Sequence, residues 1–402
     1  MATKKTKRKS PTHTLTTLAL FLLPIVLLAG VIALFLNTGG GLDFEAPVPI
    51  EDLTVERVIL TGPPENVYHI EVVVRNSGPA PVTIAQVVVN EGVRQFHMEP
   101  AGSIPRLGTA SVHIDYGWVE GEAYGVTMFT TNAVAFTAEI PVAFITPENN
   151  TQNLLGFTLI GLYVGVIPIF LGILWLPALR RLSRSWMTFL NALTAGLLVF
   201  LGVDTLVEAI EQTALVPSPF QGFGLIAIGA VGVFMLLAAI SAREDNLRRG
   251  ESAKRMAIAF MIALGIGLHN LGEGLAIGAA YNVGEIALGT FLVVGFIIQN
   301  ITEGLGIIAP ILRERPAIRH LALLGLLGGA PAIVGAWIGG FSPSATLAVL
   351  FLGIGTGAIF EVVYEIAKLL QRDTAKRPAP MLIFAGVISG MLLLWVTGLL
   401  IK

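Results

Sequence analysis

The sequence predicts an all-α polytopic membrane bundle of eight helices, preceded by a signal-anchor helix and a small all-β domain. Three observations predict it. The chain is 54% hydrophobic and 13% charged, against about 25% charged in soluble domains. Apolar runs recur from Leu154 to the end, each near the ~20 residues that cross a hydrocarbon core as a helix. Between residues 43 and 146 the pattern changes to short alternating runs cut by Gly, Pro and Asn. There is no Cys, which excludes disulfides and thiolate metal sites. A net charge of −2 points to no charged partner, and nucleic acid is not expected.

Residues 1–12 form a basic tail with Lys4, Lys5, Lys7, Arg8 and Lys9, and residues 13–37 form an apolar helix. A secretory h-region has only about 7–15 residues before a small-x-small cleavage site. The run from Leu15 to Leu36 is longer and no such site follows it. It reads as an uncleaved anchor with its basic end in the cytoplasm. Residues 43–146 then hold alternating runs: Leu53 to Leu60, Val67 to Val74, Val82 to Val89, Ala110 to Ile114, Tyr124 to Phe129 and Ala133 to Phe144. Turn signals such as Thr61-Gly62-Pro63-Pro64 and Asn76-Ser77-Gly78-Pro79 separate them. This patterning predicts a small Ig-like sandwich outside the membrane.

Residues 150–402 carry eight spans, near 153–178, 185–211, 220–242, 254–281, 286–312, 318–340, 345–370 and 380–401. With the tail inside, the inner loops are Arg180, Arg181 and Arg184, then Arg243 to Arg255, Arg313 to Arg319 and Arg372 to Arg377. All four are basic. The outer loops, Glu211 to Pro219, Asn282 to Glu285 and Ser342 to Ser344, contain no Lys or Arg. The positive-inside rule is met at every turn. The expectation is a multi-pass plasma-membrane protein with its C-terminus and β-domain outside. Trp175 and Trp186 flank the first inner loop, as in an aromatic belt.

Two phrases inside the spans carry the chemistry: His269-Asn270-Leu271-Gly272-Glu273-Gly274 and Gln299-Asn300-Ile301-Thr302-Glu303-Gly304. A carboxylate at the centre of a membrane helix costs at least about 2.5–3.5 kcal/mol, so it marks a functional site. Residues i and i+4 share a helix face. His269 therefore faces with Glu273, and Gln299 with Glu303; Asn270 and Asn300 stand beside them. Both phrases fall near mid-span on helices that run in opposite directions. Two glutamates balance the charge of one divalent ion. A nitrogen and oxygen ligand set without sulfur suits Zn²⁺, with Fe²⁺, Mn²⁺ and Cd²⁺ as further candidates. The plainer reading is a polar cluster that ties helices together. Zinc-protease helices need His-Glu-x-x-His, which the chain lacks, so no enzyme is expected.

On these phrases, their order and their topology, residues 150–402 resemble the ZIP (Zrt/Irt-like) divalent-metal transporters. The resemblance implies an inverted 3+2+3 arrangement of eight spans. It also implies a primary transport site of His269, Glu273, Gln299 and Glu303, with Asn270 and Asn300 at an adjoining second position. Gly272 and Thr302 stand where the family has prolines, which predicts weaker kinks. Ala330-Pro331 replaces a Glu-Pro on the sixth span, and Asn300 stands where a carboxylate is common, which predicts one bound ion rather than two.

Asp204 and Glu208 lie near the outer end of the second span; Glu361 and Glu365 lie in the inner half of the seventh. Their placement is the trace of an inverted repeat, and they are candidate waypoints for an ion, with Asp204 and Glu361 the deeper pair. In the β-domain, His69, His97 and His113 each precede an acid by two residues: Glu71, Glu99 and Asp115. Solvated strand faces explain them, with a metal-capturing surface as the other reading. Asn149-Asn150-Thr151 matches an N-glycosylation acceptor. The function expected is inward transport of a divalent metal ion by alternating access, in a homodimer. The alternative is a membrane-anchored surface sensor or adhesion protein whose helices bind metal without moving it.

Overall fold

The structure is a computed structural model that describes residues 11–38, 50–62, 68–246, 250–375 and 378–399. The basic tail residues Lys4, Lys5, Lys7, Arg8 and Lys9 lie outside the described residues. The chain divides into two units, Met1–Pro49 and Ile50–Lys402. The described part of the first is one helix, Pro11–Thr38. An apolar segment in lipid satisfies its backbone polar groups only by closing its own hydrogen bonds, which a helix does.

The second unit begins with eight strands: β1 (Leu53–Thr61), β2 (His69–Asn76), β3 (Ile84–Val89), β4 (Gly92–Arg94), β5 (His97–Glu99), β6 (Thr109–Asp115), β7 (Tyr124–Thr130) and β8 (Ala135–Ile140). They form two antiparallel four-stranded sheets, ordered β1-β2-β6-β5 and β4-β3-β7-β8. The period-two pattern sends alternate side chains into one core. Ile70, Val72, Val74, Val112 and Ile114 enter it from one sheet, and Val87, Val89, Val126 and Met128 from the other. The six runs read from the sequence coincide with β1, β2, β3, β6, β7 and β8; β4 and β5 are three-residue strands that no run announced.

Among the described residues, seven helices are long and apolar enough to cross a membrane: Thr151–Leu179, Arg184–Leu215, Ser218–Arg243, Glu251–Asn282, Ile286–Ile311, Ile318–Phe341 and Ala345–Thr374. We number these the first to seventh spans. A last helix, Pro380–Leu399, follows, of which Pro380–Val396 counts as a shorter apolar stretch. The fourth span is helical without interruption through Gly272, and the fifth through Thr302. Neither position breaks its helix.

The breaks lie elsewhere. The first span contains a π-turn at Leu162–Val166. The sixth stops at Gly329 and resumes at Pro331, because proline has no N–H and its ring crowds the preceding turn. Small residues let the fourth and sixth spans approach to backbone contact. A Cβ on Gly267 would lie 2.1 Å from the Leu327 carbonyl oxygen, and one on Gly274 2.1 Å from that of Ala332.

Side-chain contacts sort the loops by end. At one end Arg255 pairs with Asp373 at 2.6 Å, Arg184 donates to the Asp373 carbonyl at 2.9 Å, and Arg180 donates to the Glu314 carbonyl. At the other, Ser218 donates to Asp52 at 2.8 Å and Arg75 lies over the Phe220 ring, 5.6 Å from its centre. The basic loops thus gather at one end and the β-domain packs at the opposite one.

Candidate metal centre

The fourth and fifth spans bring the two sequence phrases together. His269, Asn270, Glu273, Asn300 and Glu303 are all buried, at 0–6% exposure, and Gln299 is half-buried. One ligating atom from each of His269, Glu273 and Glu303 falls within 4.8 Å of the others. His269 Nε2 lies 3.2 Å from Glu273 Oε1. The Gln299 amide nitrogen sits among three acceptors: Glu273 Oε1 at 2.9 Å, Glu303 Oε1 at 3.3 Å and His269 Nε2 at 3.4 Å.

The tautomer of His269 follows from a neighbour that the sequence reading passed over. Thr205, on the second span and 1% exposed, donates its hydroxyl proton to the Leu201 carbonyl at 2.8 Å. Its oxygen is then left as an acceptor, 3.1 Å from His269 Nδ1. Nδ1 therefore carries a proton, and Nε2 is the nitrogen that faces the carboxylates. A ligating histidine is oriented in this way by a partner on its other nitrogen.

The two asparagines are held by the helix breaks. Asn300 Nδ2 donates to the Val164 carbonyl, inside the π-turn, at 3.0 Å, and to Glu273 Oε2 at 2.9 Å. Asn270 Nδ2 donates to the Gly328 carbonyl, just before the sixth-span break, at 3.0 Å. Asn270 Oδ1, Asn300 Oδ1 and Glu303 Oε2 are buried without a hydrogen-bond partner. Every one of these is an acceptor. Buried polar atoms are almost always satisfied, and a centre with surplus acceptors and two carboxylates could hold a cation.

The outlying carboxylates divide. Asp204 is exposed and Glu208 half-buried, a difference in facing that depth along the span does not specify. Adjacent helical residues point about 100° apart, so turning Thr205 onto His269 turns Asp204 away. Glu208 accepts from Gln212 at 3.4 Å. Glu361 is 0% exposed and accepts from Ser241 of the third span at 3.1 Å, with its second oxygen unpartnered. Glu365 is buried and accepts from Lys368 at 2.7 Å. It lines a cavity of about 250 Å³ with Ser241, Lys254, Met261 and Arg372.

These groups form a ladder of heights. Gly355 of the seventh span is level with His269, since its Cβ would lie 3.3 Å from the His269 Cα. At 1.5 Å rise per residue, Glu361 is about 9 Å and Glu365 about 15 Å from that level toward the basic end. Glu208 is about 4.5 Å from the Thr205 level toward the β-domain end.

Fold and site together define a polytopic membrane protein with a buried nitrogen- and oxygen-ligand centre between two antiparallel helices. No family model matches the chain. It is similar to Zinc transporter ZIPB of Bordetella bronchiseptica, 26% identical over 252 residues, which are 60% of this chain and 81% of that protein. Zinc transporter ZIP5 of Homo sapiens is 32% identical over 146 residues, 35% of this chain and 27% of the relative. Zinc transporter ZIP6 of Homo sapiens is 27% identical over 122 residues, 29% of this chain and 16% of the relative. The matched stretch is thus less than a third of either human relative. These similarities and the seven apolar helices fit a ZIP-family transporter, with the two β-sheets as an extra domain.

Proposed function

We propose that the chain moves divalent transition-metal ions, Zn²⁺ first among them, across the membrane into the cytoplasm by alternating access. The ion would bind to His269, Glu273, Gln299 and Glu303, with the Asn270 and Asn300 carbonyl oxygens alongside. The observation that carries this reading is the set of buried acceptors without donors around two glutamates. Zn²⁺ agrees with the names of the relatives, while Fe²⁺, Mn²⁺ and Cd²⁺ would accept the same ligand atoms. One ion is proposed, because the sixth span offers Ala330 and not a carboxylate. Glu208 would serve the approach from the β-domain end, and Glu361 and Glu365 the release at the basic end. Asp204, being exposed, is a weaker waypoint than the sequence suggested.

The proposed orientation places the basic loops in the cytoplasm, and with them the tail at 1–12; the β-domain and the C-terminus are outside. The proposed domains are an anchor at 13–37, a β-domain at 43–146 and an inverted 3+2+3 bundle at 150–402. An Ig-like sandwich is supported by the sheet orders, which correspond strand for strand to the ABED and C′CFG sheets of that architecture. A homodimer is the proposed assembly; the third span leaves most of its apolar surface open.

The test is metal uptake into proteoliposomes by the wild type, Glu273→Ala and Glu303→Ala. Flux should fall at least about 100-fold in each variant, and equal flux in all three would overturn the transport site. The rival reading, a surface sensor whose helices only anchor it, is separated by deleting residues 1–150. Flux should survive in the shortened chain if the bundle alone is the transporter.

A further inference from the structure

The β-domain carries a second cluster of metal-ligating side chains, which the transport reading does not use. β2, β6 and β5 lie side by side, with His97 directly opposite His113 and His69 opposite Asp115. Alternation sends Val72, Val112 and Ile114 into the core and these histidines to the other face. Three imidazoles gather there: the His97 and His113 rings are 4.7 Å apart, those of His69 and His113 5.2 Å.

The hydrogen bonds assign the protons. Asp115 Oδ1 accepts from His69 Nδ1 at 3.2 Å. His69 Nε2 then bears a lone pair and accepts from His113 Nδ1 at 3.0 Å. That leaves a lone pair on His113 Nε2, which is buried and without a hydrogen-bond partner. With both imidazoles neutral, the carboxylate–imidazole–imidazole chain leaves His113 Nε2 as an acceptor. One ligating atom from each of His97, Glu99 and His113 lies within 4.8 Å of the others. Tetrahedral Zn²⁺, with bonds near 2.0–2.1 Å, needs its ligand atoms about 3.3 Å apart. The cluster must contract by at most about 1.5 Å, and rotation of exposed His97 and Glu99 on the short edge strand β5 provides that movement.

We propose that His97, Glu99 and His113 form a divalent-metal site on the outer face of the β-domain, with His69 and Asp115 as the residues that position His113. The inference is independent of the transport reading, since it needs neither the central site nor flux.

The test uses the full chain in lipid nanodiscs, carrying Glu273→Ala and Glu303→Ala so that the central site is disabled. Equilibrium dialysis against Zn²⁺ should find one ion per protomer, and Co²⁺ should give the visible absorption of a low-coordinate nitrogen-ligated site. Adding His97→Gln and His113→Gln should weaken Zn²⁺ binding more than 100-fold and abolish the Co²⁺ band. His69→Gln should weaken it about 10-fold, as loss of an outer partner does. His97→Gln alone changes an exposed edge position, so a matching thermal midpoint separates a lost ligand from a lost fold. Zn²⁺ binding unaltered by the histidine substitutions would overturn the site, as would no Zn²⁺ on the chain with only the central site disabled. Flux by the wild type is read separately and fails or succeeds on its own.

Discussion

Replacing Thr205 with valine removes one hydroxyl and almost no volume, and should cripple a metal site to which Thr205 contributes no ligand. Thr205 Oγ1 receives the His269 Nδ1 proton at 3.1 Å and is buried. Valine leaves that N–H without an acceptor, which costs about 1–3 kcal/mol in a buried site. The imidazole escapes the cost by moving its proton to Nε2, where Glu273 Oε1 accepts it at 3.2 Å. The nitrogen that must bind the ion is then blocked, and binding has to reverse the exchange. Affinity should fall about 10–100-fold, the usual effect of losing an outer partner, or about 1.4–2.7 kcal/mol. Chelator competition gives the dissociation constant, and initial uptake at sub-saturating Zn²⁺ gives the functional loss. Thr205→Ser keeps the oxygen and should behave like the wild type. Wild-type affinity in Thr205→Val, or equal damage from Thr205→Ser, would refute the tautomer argument.

Gly274→Ala drives a methyl to 2.1 Å from the Ala332 carbonyl, so the fourth and sixth spans must part; a loss of about 1–3 kcal/mol, as for overpacked cores, should lower the thermal midpoint in detergent. His269, Glu273 and Glu303 bind metal only when deprotonated, so Zn²⁺ affinity should fall as pH drops; a flat dissociation constant between pH 8 and 5 would contradict the ligand set. In the chain bearing His97→Gln and His113→Gln, Zn²⁺ at about 100 times its dissociation constant should stabilise the fold by about 2.7 kcal/mol, and thermal scans should show none of this once Glu273→Ala and Glu303→Ala are added.

The central phrases were legible because helical periodicity fixes which residues face together, and His269, Glu273, Gln299 and Glu303 meet as the spacing requires. What holds them was not legible. Asn270 and Asn300 bond to carbonyls on the sixth and first spans, beside irregular turns that local pattern does not announce. Thr205 reads as an ordinary small residue in an apolar helix, and only its packing against His269 gives it a role. Asp204 was ranked by its depth along the span, which says nothing about rotation. In the β-domain the three histidines were visible but their meeting was not: it depends on the register of β6 against both β2 and β5, where a one-residue slip turns every side chain to the other face.

The position of Gln299 has a bearing on how fast an ion could leave. Its amide nitrogen points at the same three atoms that a cation would claim. Half a turn about the last side-chain bond exchanges that nitrogen for the amide oxygen, converting a competitor into a ligand. An ion bound there would contend with a donor tethered to the site, ready to reclaim the carboxylates the moment a bond lengthens. A carrier gains from such a rival: it limits residence time without reducing the number of ligands, and turnover depends on dissociation as much as on capture.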